Sequence, residues 1–184
     1  AFPSSHLSVS NDLQANPLRE GLSNRPMPQP CNVVIFGASG DLTKRKLIPS
    51  LFNLHLNRSL PVKFAIIGVD HAALSDASFR KRLHEGVRRF SKLGSIKAAD
   101  WKAFAANISY QRGDFVEART YAILAKQLAA LDKAWSAKAV RIFHLATPPS
   151  LFSQIVKCLG KSGLANEDEH WSRIVIEKPF GRDL

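Results

Sequence analysis

The run Cys31-Asn32-Val33-Val34-Ile35-Phe36-Gly37-Ala38-Ser39-Gly40-Asp41-Leu42 decides the fold. Its first half is a nearly continuous apolar stretch with little polar alternation, which suits a strand buried on both faces, as in a parallel sheet. A glycine turn follows at once, and a helix opens after it. Strand, glycine turn and helix N-terminus in that order form the geometry that holds a dinucleotide pyrophosphate. Gly37 allows the tight turn, Gly40 a close backbone approach to phosphate oxygens, and Ser39 has a hydroxyl to donate. The Gly-x-x-Gly spacing is shorter than Gly-x-Gly-x-x-Gly, and a plain strand-to-helix turn can look the same. Position after the first buried strand favours the cofactor.

Outward from this run, further short Val-, Ile- and Phe-rich stretches predict strands near 63–68, 108–111, 140–146 and 173–177. Apolar residues at helical spacing predict helices over 43–58 (Leu47, Leu51, Leu54), 76–91 (Phe79, Leu83, Val87, Phe90), 117–133 (Tyr121, Leu124, Leu128, Leu131) and 150–162 (Leu151, Ile155, Leu159). A short helix is expected near 98–106, and Ser150 is the expected N-cap of the fourth long helix. Pro49 inside the first helix requires an early-turn position or a kink. Alternating strands and helices predict an α/β fold: a doubly wound, mostly parallel Rossmann-type sheet with helices on both faces. Residues 1–30, rich in Ser, Asn and Pro, read as a flexible arm, and 31–184 as the dinucleotide-binding domain.

Composition bounds the partners. The 184 residues suit one domain of ordinary apolar content, with a formal net charge of +11. Such a balance favours anionic partners. The basic residues are dispersed, without interleaved aromatics or a helix-turn-helix pattern, which argues against nucleic acid and for phosphorylated small molecules. No signal-peptide pattern or membrane-length apolar run is present, and Cys31 and Cys158 are too few for a disulfide framework. A reducing cytoplasmic setting is therefore expected. The chain opens on Ala1 rather than Met, which suggests a processed or cut start.

Other candidates lie where strands end. Asp70 and His71 close the second strand, where a Rossmann domain reads the ribose 2′ position; an acid favours NAD and a cation NADP, so the pair pulls both ways. Lys44-Arg45-Lys46 opposes the helix dipole, a conflict that a bound polyanion relieves and a solvated face tolerates. Ala146-Thr147-Pro148-Pro149 makes a stiff turn after the fourth strand. His144 reads as a core histidine, Asp114 as a turn residue and Cys158 as packing. Lys178 in Glu177-Lys178-Pro179 reads first as a surface lysine, with contact to substrate or cofactor as the alternative.

Three of these segments resemble one family. Gly37 to Pro49 is similar to the coenzyme fingerprint of glucose-6-phosphate dehydrogenases, Ala146 to Pro149 to their nicotinamide-side loop, and Glu177-Lys178-Pro179-Phe180-Gly181-Arg182-Asp183-Leu184 to their signature at a strand end. The resemblance implies NADP-linked oxidation of glucose 6-phosphate at C1 to the 6-phospho-lactone, the first oxidative step of the pentose phosphate pathway. It assigns cofactor binding to Gly37, Ala38, Ser39, Gly40, Asp41, Leu42, His71, Pro149 and Lys178, and substrate contact to Lys178 as well. Pro179 would hold a cis bond. It also implies a homo-oligomer.

Two departures stand out. The family commonly carries arginine where this chain has His71, so NAD competes with NADP. The family's catalytic histidine, in an Asp-His-Tyr-Leu-Gly-Lys motif, and its sugar-phosphate domain should lie beyond Leu184, so no catalytic residue is expected within the chain and these 184 residues alone are expected not to turn over. The rivals are a Gfo/Idh/MocA-type oxidoreductase, which also has Glu-Lys-Pro but usually a fuller glycine fingerprint, and a non-catalytic nucleotide-binding module.

Overall fold

The computed structural model of the chain describes residues 28–91, 95–166 and 171–177. Strands form at the apolar runs: β1 Cys31–Phe36, β2 Phe64–Asp70, β3 Ile108–Arg112, β4 Val140–Leu145 and β5 Ser172–Ile176. They make one sheet in the order β3-β2-β1-β4-β5, every pair parallel. The chain winds outward from β1 through β2 and β3, then returns to the other side of β1 for β4 and β5. The connections leaving β1 and β4 therefore go to opposite faces, and a crevice opens between their carboxyl ends.

The helices are α1 Ile48–Leu56, α2 Asp76–Phe90, α3 Ala98–Ala105, α4 Ala118–Trp135 and α5 Phe152–Lys161. Strand side chains alternate between faces, so one strand feeds two cores. Ile35 and Ile66 pack with Phe52, Phe79, Leu83 and Phe104 from α1 to α3. Val34, Phe36, Ile67 and Phe143 pack with Tyr121, Leu124, Leu128, Ile155 and Leu159 from α4 and α5. Each such fully buried side chain contributes about 1.5–3 kcal/mol. The central strands have no solvent face, which is why they read as unbroken apolar runs.

The first helix differs from its expectation. Thr43–Leu47 is a wide π turn in which the Ile48 N–H donates to the Thr43 carbonyl, and α1 starts only after it. Pro49 explains the change. It has no N–H for an i→i−4 bond, and its ring would crowd the Arg45 carbonyl in a regular helix. The extra residue turns Ile48, Pro49 and Phe52 inward, while Leu54 stays 42% exposed. Gly86 of α2 faces this wide turn, where a Cβ would stand 2.5 Å from the Lys44 carbonyl oxygen. Ser150 is not an N-cap: a 3-10 turn, Pro149–Leu151, leads into α5, which has no side-chain cap. The serine cap occurs at α2, where Ser75 and Ser78 form a reciprocal capping box.

Among the described residues no helix is long and apolar enough to cross a membrane, and no group of His, Cys, Asp and Glu is placed to hold a metal ion.

Candidate coenzyme-binding site

Gly37 sits at the crevice with φ +80°, and a Cβ there would lie 2.5 Å from the Ala146 carbonyl oxygen. Backbone conformation and the neighbouring β4 loop thus both require glycine. The same contact brings the Gly37 turn against Ala146 and Thr147, joining the first and second family-like segments at the switch point. Gly40 has no such constraint: its N–H donates to Gly37 O at 3.0 Å, and an added Cβ would only crowd that oxygen at 3.1 Å.

The turn is held by side chains as much as by its own backbone. Asp70, at the end of β2, is 3% exposed. Its Oδ2 accepts from the Ser39 N–H at 2.8 Å and the Ser39 hydroxyl at 2.6 Å. Its Oδ1 accepts from the His71 N–H at 2.7 Å and lies 2.7 Å from His71 Nδ1. Ser39 therefore spends its hydroxyl on Asp70 in this structure. The Gly37 and Ala38 N–H groups go to Val69 O. The donors left for an anion are the first-turn N–H groups that start at Asp41 and Leu42, which have no intrahelical partner.

The opposite wall is less complete. Thr147 is 9% exposed, and its buried hydroxyl and Nδ1 of His144 have no hydrogen-bond partner among the described residues. His144 Nε2 lies 3.7 Å from Glu177 Oε1 at the end of β5. Burial pushes the His144 imidazole below its ordinary value, and the Glu177 carboxylate only partly offsets this. Orphaned polar atoms at a switch point suit a ligand rich in donors and acceptors, as the amide and ribose of a nicotinamide dinucleotide are. Pro148 and Pro149 are exposed beside them. Lys178 and Pro179 lie outside the described residues, as do residues 1–27 of the arm.

Other expectations resolve individually. Lys44 reaches toward Glu85 at 4.0 Å, while Arg45 pairs with Asp41 at 2.9 Å and stacks over Phe90, so these two behave as a partnered face. Asp114 is a turn residue whose Oδ1 accepts from Val116 N–H at 3.0 Å. Cys158 packs against the α4–α5 core, and burial lifts the Cys31 thiol to about 11, which keeps it unreactive. Two arginines outside the sequence-based expectations, Arg82 and Arg112, also bear on this site. Both reach the Asp70 corner: Arg112 Nε donates to His71 O and Arg82 Nη2 to Ser39 O, each at 3.3 Å. The available signal was register, since Arg112 ends β3 directly beside Asp70.

A family model described as "Glucose-6-phosphate dehydrogenase, NAD binding domain" matches residues 34–184. The chain belongs to this family. Among curated glucose-6-phosphate 1-dehydrogenases, the one from Treponema pallidum is 41% identical over 152 residues, covering 83% of this chain and 30% of the relative. That from Aggregatibacter actinomycetemcomitans is 39% identical over 153 residues, again 83% of this chain and 30% of the relative. A solved glucose-6-phosphate dehydrogenase in complex with its substrate glucose-6-phosphate superposes with TM-score 0.76 and 32% identity, covering 86% of this chain and 32% of that one. The chain spans about a third of the length of the glucose-6-phosphate dehydrogenases it matches. The doubly wound sheet is thus this dehydrogenase family's dinucleotide-binding fold.

Proposed function

We propose that the chain is the NADP-holding part of an enzyme that oxidises glucose 6-phosphate at C1 to the 6-phospho-lactone. The observation that carries this is the Gly37 turn, seated at the β1–β4 switch point and tied down by Asp70, in a chain that belongs to a glucose-6-phosphate dehydrogenase family. The N–H groups of the first turn from Asp41 would take the pyrophosphate, and the Thr147 hydroxyl would meet the nicotinamide half. Bound NADP supplies the hydride acceptor. The chain's own part is to orient it: the Asp70 clamp holds the turn, and the buried Thr147–His144 wall keeps water from the crevice floor. Lys178, one residue past Glu177, would contact sugar phosphate and cofactor together.

Calorimetric titration of the purified chain with NADP tests this reading. Saturable one-to-one binding is expected, with no sugar oxidation by these 184 residues alone. A folded chain that takes up no dinucleotide would refute the assignment.

A further inference from the structure

An acid at the end of the second Rossmann strand ordinarily accepts from the ribose hydroxyls and repels a 2′-phosphate. Asp70 has the position but not the freedom. An ionised carboxylate offers about four acceptor sites; here three accept from N–H and O–H groups of Ser39 and His71, and His71 Nδ1 stands 2.7 Å from Oδ1. At 3% exposure it has little surface to present to a ribose. Its work is internal: it ties the coenzyme turn to the β2 edge.

What faces solvent around it is cationic. Arg112 pairs in register with Asp70 across β2 and β3, and its Nε donates to His71 O at 3.3 Å. That contact leaves the outer fork of an exposed guanidinium available. Arg82 approaches from α2 through Ser39 O. The Tyr110 phenol, on the strand that carries Arg112, donates to Ala72 O at 2.7 Å, just past His71. Arg80 is not part of this group, because its guanidinium is spent on Ile108 O and lies near Asp76. Arg112 and His71 border an open cleft of about 560 Å³ that also takes in Arg119, Asp114 and Glu117. The two acids come from the β3–α4 connection, whereas Arg112 stands at the end of β3 beside His71.

Resting on the coenzyme-binding reading above, we propose that Arg112 is the residue that selects the 2′-phosphate of NADP, with Asp70 withdrawn from cofactor choice into holding the turn. A planar guanidinium presents paired N–H donors that match phosphate oxygens. This removes the conflict between Asp70 and His71 in the sequence, since the acid that would favour NAD is already consumed.

The test is calorimetric titration with NADP and with NAD at one ionic strength, with circular dichroism as a check on folding. Arg112→Ala should weaken NADP roughly ten- to hundredfold, the loss of a charged hydrogen-bond pair, and leave NAD within about twofold. Asp70→Asn should weaken both cofactors alike, leaving their ratio unchanged. His71→Ala keeps the backbone carbonyl that Arg112 meets and should move the ratio less than Arg112→Ala does. The proposal is overturned if Arg112→Ala leaves the ratio intact, if Asp70→Asn swings it toward NADP, or if His71→Ala moves it more. A parent chain that binds neither dinucleotide overturns the coenzyme reading as well; one that binds both while Arg112→Ala changes nothing overturns this inference alone.

Discussion

The two walls of the crevice are built on opposite plans. On the β2 side, Asp70 meets donors at both oxygens, Ser39 and His71 are tied to it, and arginines brace the surrounding carbonyls. On the β4 side, the Thr147 hydroxyl and His144 Nδ1 are buried without partners among the described residues. A satisfied polar network is rigid and costs nothing further when a ligand arrives. An unsatisfied one carries a standing penalty of about 1–3 kcal/mol per group, which a ligand can relieve. The β2 wall is therefore preformed, and on the proposed reading the β4 wall is completed by the dinucleotide that binds there.

The largest effect should come where the walls touch. Gly37→Ala combines a left-handed backbone with a clash against Ala146 O, and should cost roughly 3–5 kcal/mol in urea unfolding. A cost under 1 kcal/mol would mean that the two walls are not in contact at this turn. Next, Ser39→Ala removes a hydroxyl from a buried carboxylate and should lower stability by about 2 kcal/mol, with the loss shrinking sharply in an Asp70→Asn background. Additive losses would show that the two side chains do not act as a unit.

On the other wall the sign should reverse. Thr147→Val removes an unpaired buried hydroxyl at nearly constant shape and should raise the stability of the ligand-free chain by about 1 kcal/mol, while weakening dinucleotide binding. A loss of stability would erase the contrast. The smallest effect concerns His144. Its folded-state value is lowered, so the unfolded chain binds the proton more readily. Stability should be full above the ordinary histidine value and decline as pH falls through the lowered one. His144→Gln should flatten that part of the pH profile of the melting temperature. An unchanged profile would mean that acid sensitivity arises elsewhere.

Much of the scaffold was legible because it rests on local periodicity. Strands buried on both faces announce themselves as apolar runs, and all five fall within two residues of their expected limits. The glycine turn was legible for a related reason: Gly37 is demanded by its own φ as well as by Ala146. What pattern could not reveal depends on contacts between distant residues. Asp70 looks like a ribose reader until Ser39, 31 positions earlier, is found on it. Arg112 looks like surface until strand register sets it beside Asp70. In the first helix, one unbroken period would put Leu54 on the same face as Leu47 and Leu51, and the wide turn ahead of Pro49 breaks that period.

That wide turn also has a consequence for how the family can change. It is in effect a one-residue insertion, and Gly86, some forty positions downstream, is the concession that lets α2 lie against it. The two should be inherited together. A lineage that deletes the extra residue and regains a regular helix releases position 86 to take a side chain, whereas one that keeps it cannot. Substitutions at these two places are expected to travel as a pair through the family's history, with Pro49 as the marker of which state a given member occupies.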